Sequence, residues 1–595
     1  MTPADCPLLD FIPGSHPPGD MAPRTNARGL PARIKQACAV LGAAGLTAVA
    51  PASPAMAGAD SPKPDFRPLP LTAGPNILWV VSEDNSPYTV GAYGDPLART
   101  PNLDRLAARG IVYRRAFAAA PVCAPNRSTI ITGRYASSLG TQHMRSRRSL
   151  PDNVGFFPEF LRAAGYFTSN NAKTDYNTST PETAAWDENN KQAHWRHRRP
   201  GQPFFAVFNF EQSHESRLHE RQPLLTDPAK VRVPAYLPDN PESRADLAQY
   251  YDCVTRADTA IGRILAQLAE DGLAEDTIIF YYSDNGGAVS RSKRFLYENG
   301  TQVALIMHFP EKYRHLAPAA AGSSLAELVN CVDLAPTMLS LAGLPVPRHF
   351  QGRAIAGPAR SPAPAHTFMF RDRMDERYDL SRAVTDGRYR YIRHFLPHLP
   401  LGQHLDFLWK QASMRQWAGQ AQSGQLNALQ RAFFEPKAAE ELFDCEADPD
   451  NVRNLAGEPA HRDTLDRLRA ALRGHLLSSR DTGFLPEAMM IALSGASSPA
   501  VLAAQDTAYP LARILDLVDS CQLGQLAPTA LASALTDPLP VMRYWSIMGA
   551  LSLKPMPDLS AGLTDSDASV RLAAAEVILR HTRDPAAWRV LAAAL

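Results

Sequence analysis

Asn76-Ile77-Leu78-Trp79-Val80-Val81-Ser82-Glu83-Asp84-Asn85 is the stretch whose reading decides the fold class. Residues 76–81 are almost continuously apolar and end in an acidic loop. That is the pattern of a short strand buried on both faces of a parallel sheet. The alternation recurs downstream. PFFAVFNF (203–210) and TIIFYYS (277–283) are further apolar runs, and the second leads into Asp284-Asn285-Gly286-Gly287. Apolar spacing and closing glycines predict helices over 101–110 and 157–165, and a longer helix is predicted over 245–272. Strand, acidic loop and helix in rotation make an α/β domain over 76–365, a mostly parallel sheet flanked by helices. Ligands of such sheets bind beyond the carboxyl ends of the strands. Glu83-Asp84 and Asp284-Asn285 both fall there.

Outward from this core the pattern changes twice. Residues 366–493 alternate short strands (383–395) with polar helices (404–433 and 459–478), a smaller α+β C-terminal subdomain. Residues 500–595 are rich in Ala and Leu and read as helical. Leu535-Thr536-Asp537 recurs there as Leu563-Thr564-Asp565, and Arg543 and Leu551 recur as Arg571 and Leu579, a period of 28 residues. That spacing predicts an α-helical, HEAT-like repeat segment, with an ordinary helical bundle as the alternative. Upstream, 58–75 is a Pro-rich linker and 1–57 an N-terminal extension with a signal peptide. Arg24, Arg28, Arg33 and Lys35 precede an apolar run at 37–50 and the small-x-small sequence Ala55-Met56-Ala57. The expected product is exported, periplasmic or secreted, with no membrane span.

Composition excludes several classes. Of 595 residues, 61 are Lys or Arg and 60 Asp or Glu, so no basic excess argues for nucleic acid. Hydrophobic residues at 45% exclude a mostly disordered chain. Seven cysteines, two of them before residue 57, show no C-x-x-C spacing, so neither a disulfide framework nor a zinc site is readable.

The chemistry concentrates in Cys123-Ala124-Pro125-Asn126-Arg127-Ser128-Thr129, followed by Thr132-Gly133-Arg134. The thiol lies where a loop enters a helix, and free backbone N–H groups there favour an anion. This Cys-x-Pro-x-Arg string with its Thr-Gly-Arg resembles the signature of the type I, formylglycine-dependent sulfatases of the alkaline-phosphatase-like superfamily, over residues 75–480. The resemblance implies an alkaline-phosphatase-like fold. It implies that a formylglycine-generating maturation enzyme oxidises Cys123, whose hydrated aldehyde then attacks sulfur. Arg127 would hold that hydrate.

A sulfate ester needs a cation to take up charge on its oxygens. Glu83, Asp84, Asp284 and Asn285 are the oxygen donors a hard cation prefers. The resemblance puts the ligands of a calcium ion at these places and at Cys123, with magnesium as the alternative. It departs from the family at Glu83, where Asp is usual. Lys173 in Ala172-Lys173-Thr174-Asp175 resembles the Gly-Lys-x-His element, with Asp175 in place of the histidine. His143 either fills that role or belongs to the substrate cleft. His214 follows an apolar strand, where the resemblance expects an acid or a sulfate-binding histidine. Lys293 in Lys293-Arg294-Phe295-Leu296-Tyr297-Glu298-Asn299-Gly300 matches the Lys-x-x-Leu-Tyr-x-x-Gly element and would contact sulfate and the leaving oxygen.

The reading is a sulfuric ester hydrolase acting on a sulfated carbohydrate, O- or N-linked, nearest to sulfamidase-like glycan sulfatases. Arg371-Asp372-Arg373-Met374-Asp375-Glu376 and the basic strings 145–148 and 194–199 are candidates for the cleft rim. Two alternatives stand beside it. One is a phosphonate monoester or phosphodiester hydrolase of the same superfamily. The other is an inactive sulfatase-like protein whose helical repeats bind a protein partner. On this reading, deletion of 495–595 leaves catalysis on small substrates intact.

Overall fold

The computed structural model describes residues 74–595 apart from 524–527, 554 and 595. The expected signal peptide lies outside the described residues, as does almost all of the linker.

Eight strands form the large sheet: β1 (Asn76–Ser82), β2 (Ile111–Phe117), β3 (Phe167–Asn171), β4 (Glu188–Asn189), β5 (Phe204–Phe210), β6 (Thr277–Ser283), β7 (Gln302–His308) and β8 (Ser324–Asn330). Their order is β4-β3-β5-β1-β6-β7-β2-β8. All pairs are parallel except those of β7, which runs antiparallel to β6 and β2. The mostly parallel sheet expected from the sequence is therefore present.

The period of two along a strand sorts β1 between two layers. Ile77, Trp79 and Val81 join Phe157, Phe205, Tyr282 and Leu339 on one face. Leu78 and Val80 join Leu103, Leu106, Ile261 and Leu268 on the other. The second layer is the apolar side of the helices Pro101–Arg109 and Pro241–Glu270. Each takes proline in its first turn, where no N–H is missed.

The smaller sheet has four antiparallel strands, β9 (Thr367–Arg371), β10 (Ser381–Thr385), β11 (Tyr389–His394) and β12 (Glu440–Asp444), in the order β12-β11-β10-β9. The helix expected over 404–433 is two pieces, Ala412–Gln422 and Ala428–Arg431, because Gly424 at φ 70° turns the chain between them.

The C-terminal helices complete the core of this smaller sheet. Val384 and Tyr391 from the strands share one apolar cluster with Leu472, Phe484, Ile514, Trp545 and Val577. Trp545 donates its indole N–H to the Phe484 carbonyl at 2.8 Å. Helices Pro540–Gly549 and Ala568–His581 each begin five residues after their Leu-Thr-Asp leucine. Among the described residues no helix is long and apolar enough to cross a membrane.

Candidate active site

Strand order gathers the candidate residues. β1 and β6 pair in register, Ser82 opposite Ser283, so Glu83-Asp84 and Asp284-Asn285 leave the sheet side by side. β5 lies on the other flank of β1, and its end delivers Glu211–His214 to the same rim. β3 flanks β5 and delivers Lys173. Cys123 is the first residue of the helix Cys123–Thr132, which is buried along its whole length.

Arg127, one turn along that helix, ties it to the acidic loops. Its Nε donates to Asp284 Oδ2 at 3.0 Å, one terminal nitrogen to Glu83 Oε1 at 3.3 Å and the other to Asn209 Oδ1 at 2.9 Å. Asn126 adds a bond from its amide to the Asp284 carbonyl and accepts the Ala119 N–H at 2.9 Å. Lys173 reaches Glu83 Oε1 at 3.0 Å and Asp175 at 3.4 Å. Lys293 reaches Asp84 Oδ2 at 2.8 Å, and the Glu215 N–H donates to the same oxygen at 2.7 Å. Asp84 Oδ1 accepts the Asn285 amide at 2.9 Å, and Asp284 Oδ1 accepts the Asp84 N–H at 3.2 Å. Asp84 holds this bridging position with φ at 51°, a left-handed conformation that costs an aspartate little.

The electrostatics follow from burial among charges. Burial pushes the Asp284 carboxyl up to about 6, with Glu83 and Asp84 adding to the rise and Arg127 opposing it. Burial would raise Asp84 too, but the Lys293 ammonium and His214 outweigh it and hold Asp84 below the usual carboxylate range. Burial pushes the Cys123 thiol up to about 12, opposed by Lys293 and Lys173. An unmodified Cys123 is therefore a neutral thiol, with 2% of its surface exposed. Burial and Lys293 lower His214, and its Nδ1 accepts the Ser216 N–H at 3.3 Å. Nδ1 also lies 2.8 Å from Ser216 Oγ, and Nε2 is left without a partner from that loop.

His143 is not brought into this cluster. Its Nδ1 accepts the Arg373 N–H at 3.3 Å, and its ring lies 6.0 Å from Tyr378. Full burial lowers it to about 4, so it is neutral. The rim segment also departs from expectation. Arg371 and Asp372 are buried, Asp372 and Asp481 pair with Arg382, and Arg373 pairs with Glu487. Glu376 is exposed, and Asp375 lies between Arg294 at 2.8 Å and the exposed Arg145 at 3.7 Å. In the 194–199 string, Arg196 pairs with Asp271 and His197 with Glu188, away from the cluster.

Sequence reasoning missed Asn209 and Glu215. Asn209 is the one polar residue inside an apolar strand, a signal that was present. Glu215 is fully buried and grips Arg294 with both oxygens, at 2.9 and 2.8 Å, and nothing in its neighbours announces that. Among the described residues no three His, Cys, Asp or Glu side chains stand as a metal-holding group. The carboxylates instead turn toward Arg127, Lys173 and Lys293. Two buried oxygens in the cluster, Glu83 Oε2 and Asn285 Oδ1, have no hydrogen-bond partner. Orphaned oxygens beside a carboxyl raised by burial and by two acidic neighbours suit a hard cation.

The sulfatase family model matches residues 75–197 and 175–344. An ulvan-active sulfatase of Formosa agariphila is 36% identical over 473 residues, covering 71% of this chain and 78% of that protein. The chain belongs to the sulfatase family. The human N-sulphoglucosamine sulphohydrolase is 26% identical over 67% of this chain and 89% of its own. A solved 2-O GAG sulfatase superposes with a TM-score of 0.52 at 18% identity, over 69% of this chain and 93% of its own, a likeness of fold. This sulfatase is a sulfuric ester hydrolase, and the alkaline-phosphatase-like architecture read from the sequence is the one it has.

Proposed function

We propose that this sulfatase releases sulfate from a sulfated saccharide at the cluster built around Cys123. Cys123 is the precursor of formylglycine. Glu83, Asp84, Asp284 and Asn285 hold one divalent cation, calcium or, as the alternative, magnesium. The observation that carries the reading is Arg127, which joins the helix of Cys123 to both acidic loops at once. When present, the formylglycine hydrate supplies the hydroxyl that attacks sulfur, and the cation supplies positive charge to the sulfate oxygens.

The remaining work belongs to the chain's own side chains. Lys173 and Lys293 flank the acidic loops with two ammonium groups, preorganised donors for an oxyanion. His214, its Nδ1 held by Ser216, is the donor to the leaving oxygen. Arg127 holds the acidic loops in place. His143 adjoins Met144, which shares a small apolar cluster with Cys123. Arg145 and Asp375 form the outer rim that the saccharide meets.

We assign the catalytic domain to 76–365, its smaller subdomain to 366–493 and a HEAT-like stack to 500–595. We also read the protein as exported and as a client of a formylglycine-generating enzyme.

The test is sulfate release, measured by ion chromatography, from ulvan oligosaccharides and from glucosamine N-sulfate after coexpression with that enzyme. Release by the wild type and none by Cys123→Ala is expected. Equal release by the variant overturns the assignment. Faster turnover of a phosphonate monoester than of either sulfate would favour the phosphonate hydrolase.

A further inference from the structure

The two C-terminal repeat units are joined by an arginine ladder. In the first unit Arg543 donates from Nη1 to its own unit's Asp537 carbonyl at 2.8 Å. Its Nε and Nη2 then grip the carboxylate of the next unit's Asp565 at 2.7 and 2.8 Å. Each Leu-Thr-Asp turn is prepared alike. Asp537 Oδ1 accepts the Leu539 N–H at 2.9 Å, and Asp565 Oδ1 accepts the Asp567 N–H at 2.8 Å. One rung earlier, Arg513 reaches Asp537 Oδ2 at 2.7 Å, from a position two residues out of the repeat register.

The next rung is open. Arg571 repeats the first half of the pattern, donating from Nη1 to the Asp565 and Ser566 carbonyls at 2.6 and 3.0 Å. Among the described residues its Nε and Nη2 have no carboxylate, where Arg543 has Asp565. Beside it lies a cavity of about 480 Å³ lined by Leu563, Arg571, Leu572, Arg589 and Val590 among others, with no acidic residue in its wall. Leu572 is 36% exposed on that face.

We propose that this groove docks a protein partner through an aspartate-bearing, leucine-containing turn that completes the ladder at Arg571. Apolar walls with two guanidinium groups and no carboxylate are complementary to an acidic, apolar segment. A second copy of this chain cannot offer either Leu-Thr-Asp turn, since Asp537 and Asp565 are both engaged within their own chain. The inference rests on the repeat reading of the C-terminal segment and is independent of the sulfatase chemistry.

The probe is a synthetic peptide copying residues 535–553, which carries one Leu-Thr-Asp turn and its helix, titrated into the full-length protein by fluorescence anisotropy. Saturable binding is expected. It should weaken at least tenfold with Arg571→Ala, with Arg571→Lys and with Asp537→Asn in the peptide. The losses should not add, because they remove one bond. Unchanged turnover of a small sulfate ester by the two protein variants shows that they are folded. No binding, or equal binding by the arginine variants, overturns the proposal. Self-association of the wild type that Arg571→Ala abolishes also overturns it, in favour of a second copy.

Discussion

Arg127 Nε and Asp284 Oδ2 stand 3.0 Å apart as a buried pair, Asp284 being 0% and Arg127 6% exposed. Removing one partner of such a pair strands the other charge, at a cost of about 3–5 kcal/mol. Arg127→Met should therefore lower the unfolding free energy by that order and cut sulfate release at least about a hundredfold. Added calcium should restore more stability to the variant than to the wild type, because the stranded carboxylates bind it. Denaturant titration with and without calcium checks this, and an indifferent variant would remove Arg127 from its central position.

Truncation at residue 494 should abolish soluble, active enzyme. The sequence alone suggested a detachable appendage. The shared apolar cluster makes the C-terminal helices one wall of the smaller sheet's core. Deleting them exposes Phe484, whose ring lies 6.0 Å from Trp545, and frees the Phe484 and Phe395 carbonyls from Trp545 and Gln522. Expression yield and turnover of a small sulfate ester are the measurements. A well-behaved truncation would show that the cluster divides.

Stability should fall on mild acidification. His475 stacks on Phe368 at 3.9 Å and meets the edge of Tyr135, and burial lowers it from 6.5 to about 4. The folded state keeps the ring neutral, while the unfolded chain protonates it from 6.5 downward. Its contribution is complete above 6.5 and is lost between 6.5 and 4, by about 3 kcal/mol at most. His475→Phe keeps the stacking and removes the proton. Melting curves across that range should slope less steeply in the variant, and parallel slopes would reject the assignment.

Native alkylation should spare Cys123. With a thiol pushed up to about 12 and 2% exposure, iodoacetamide at pH 8 should leave it unlabelled until denaturant is added. Peptide mass spectrometry reads the outcome. Rapid native labelling would mean that the pocket is more open than its burial indicates.

Much of this was legible in the residues. Apolar runs ending in acidic loops specify parallel strands and the rim where their ends meet, and Cys123 to Arg127 mark the helix that faces it. What escaped is what only register creates. Asn209 and Glu215 act through partners 82 and 79 residues away, so no local pattern carries them. His143 stood among the candidates by its motif, and its ring meets the Arg373 N–H and Tyr378, partners over two hundred residues away. The helices after 500 looked separable because Ala/Leu periodicity states that a face is apolar, never what covers it.

The pairing of Ser82 with Ser283 bears on how this protein can be altered. Some two hundred residues of chain lie between the two acidic loops, yet the register of β1 on β6 sets their spacing. Surface loops along that interval can grow or shrink without moving Asp84 relative to Asp284. A single residue inserted into β1 or β6 would instead turn every side chain beyond it to the opposite face. New glycan preferences should therefore be graftable by exchanging rim loops, while the two strands tolerate substitution but no change of length.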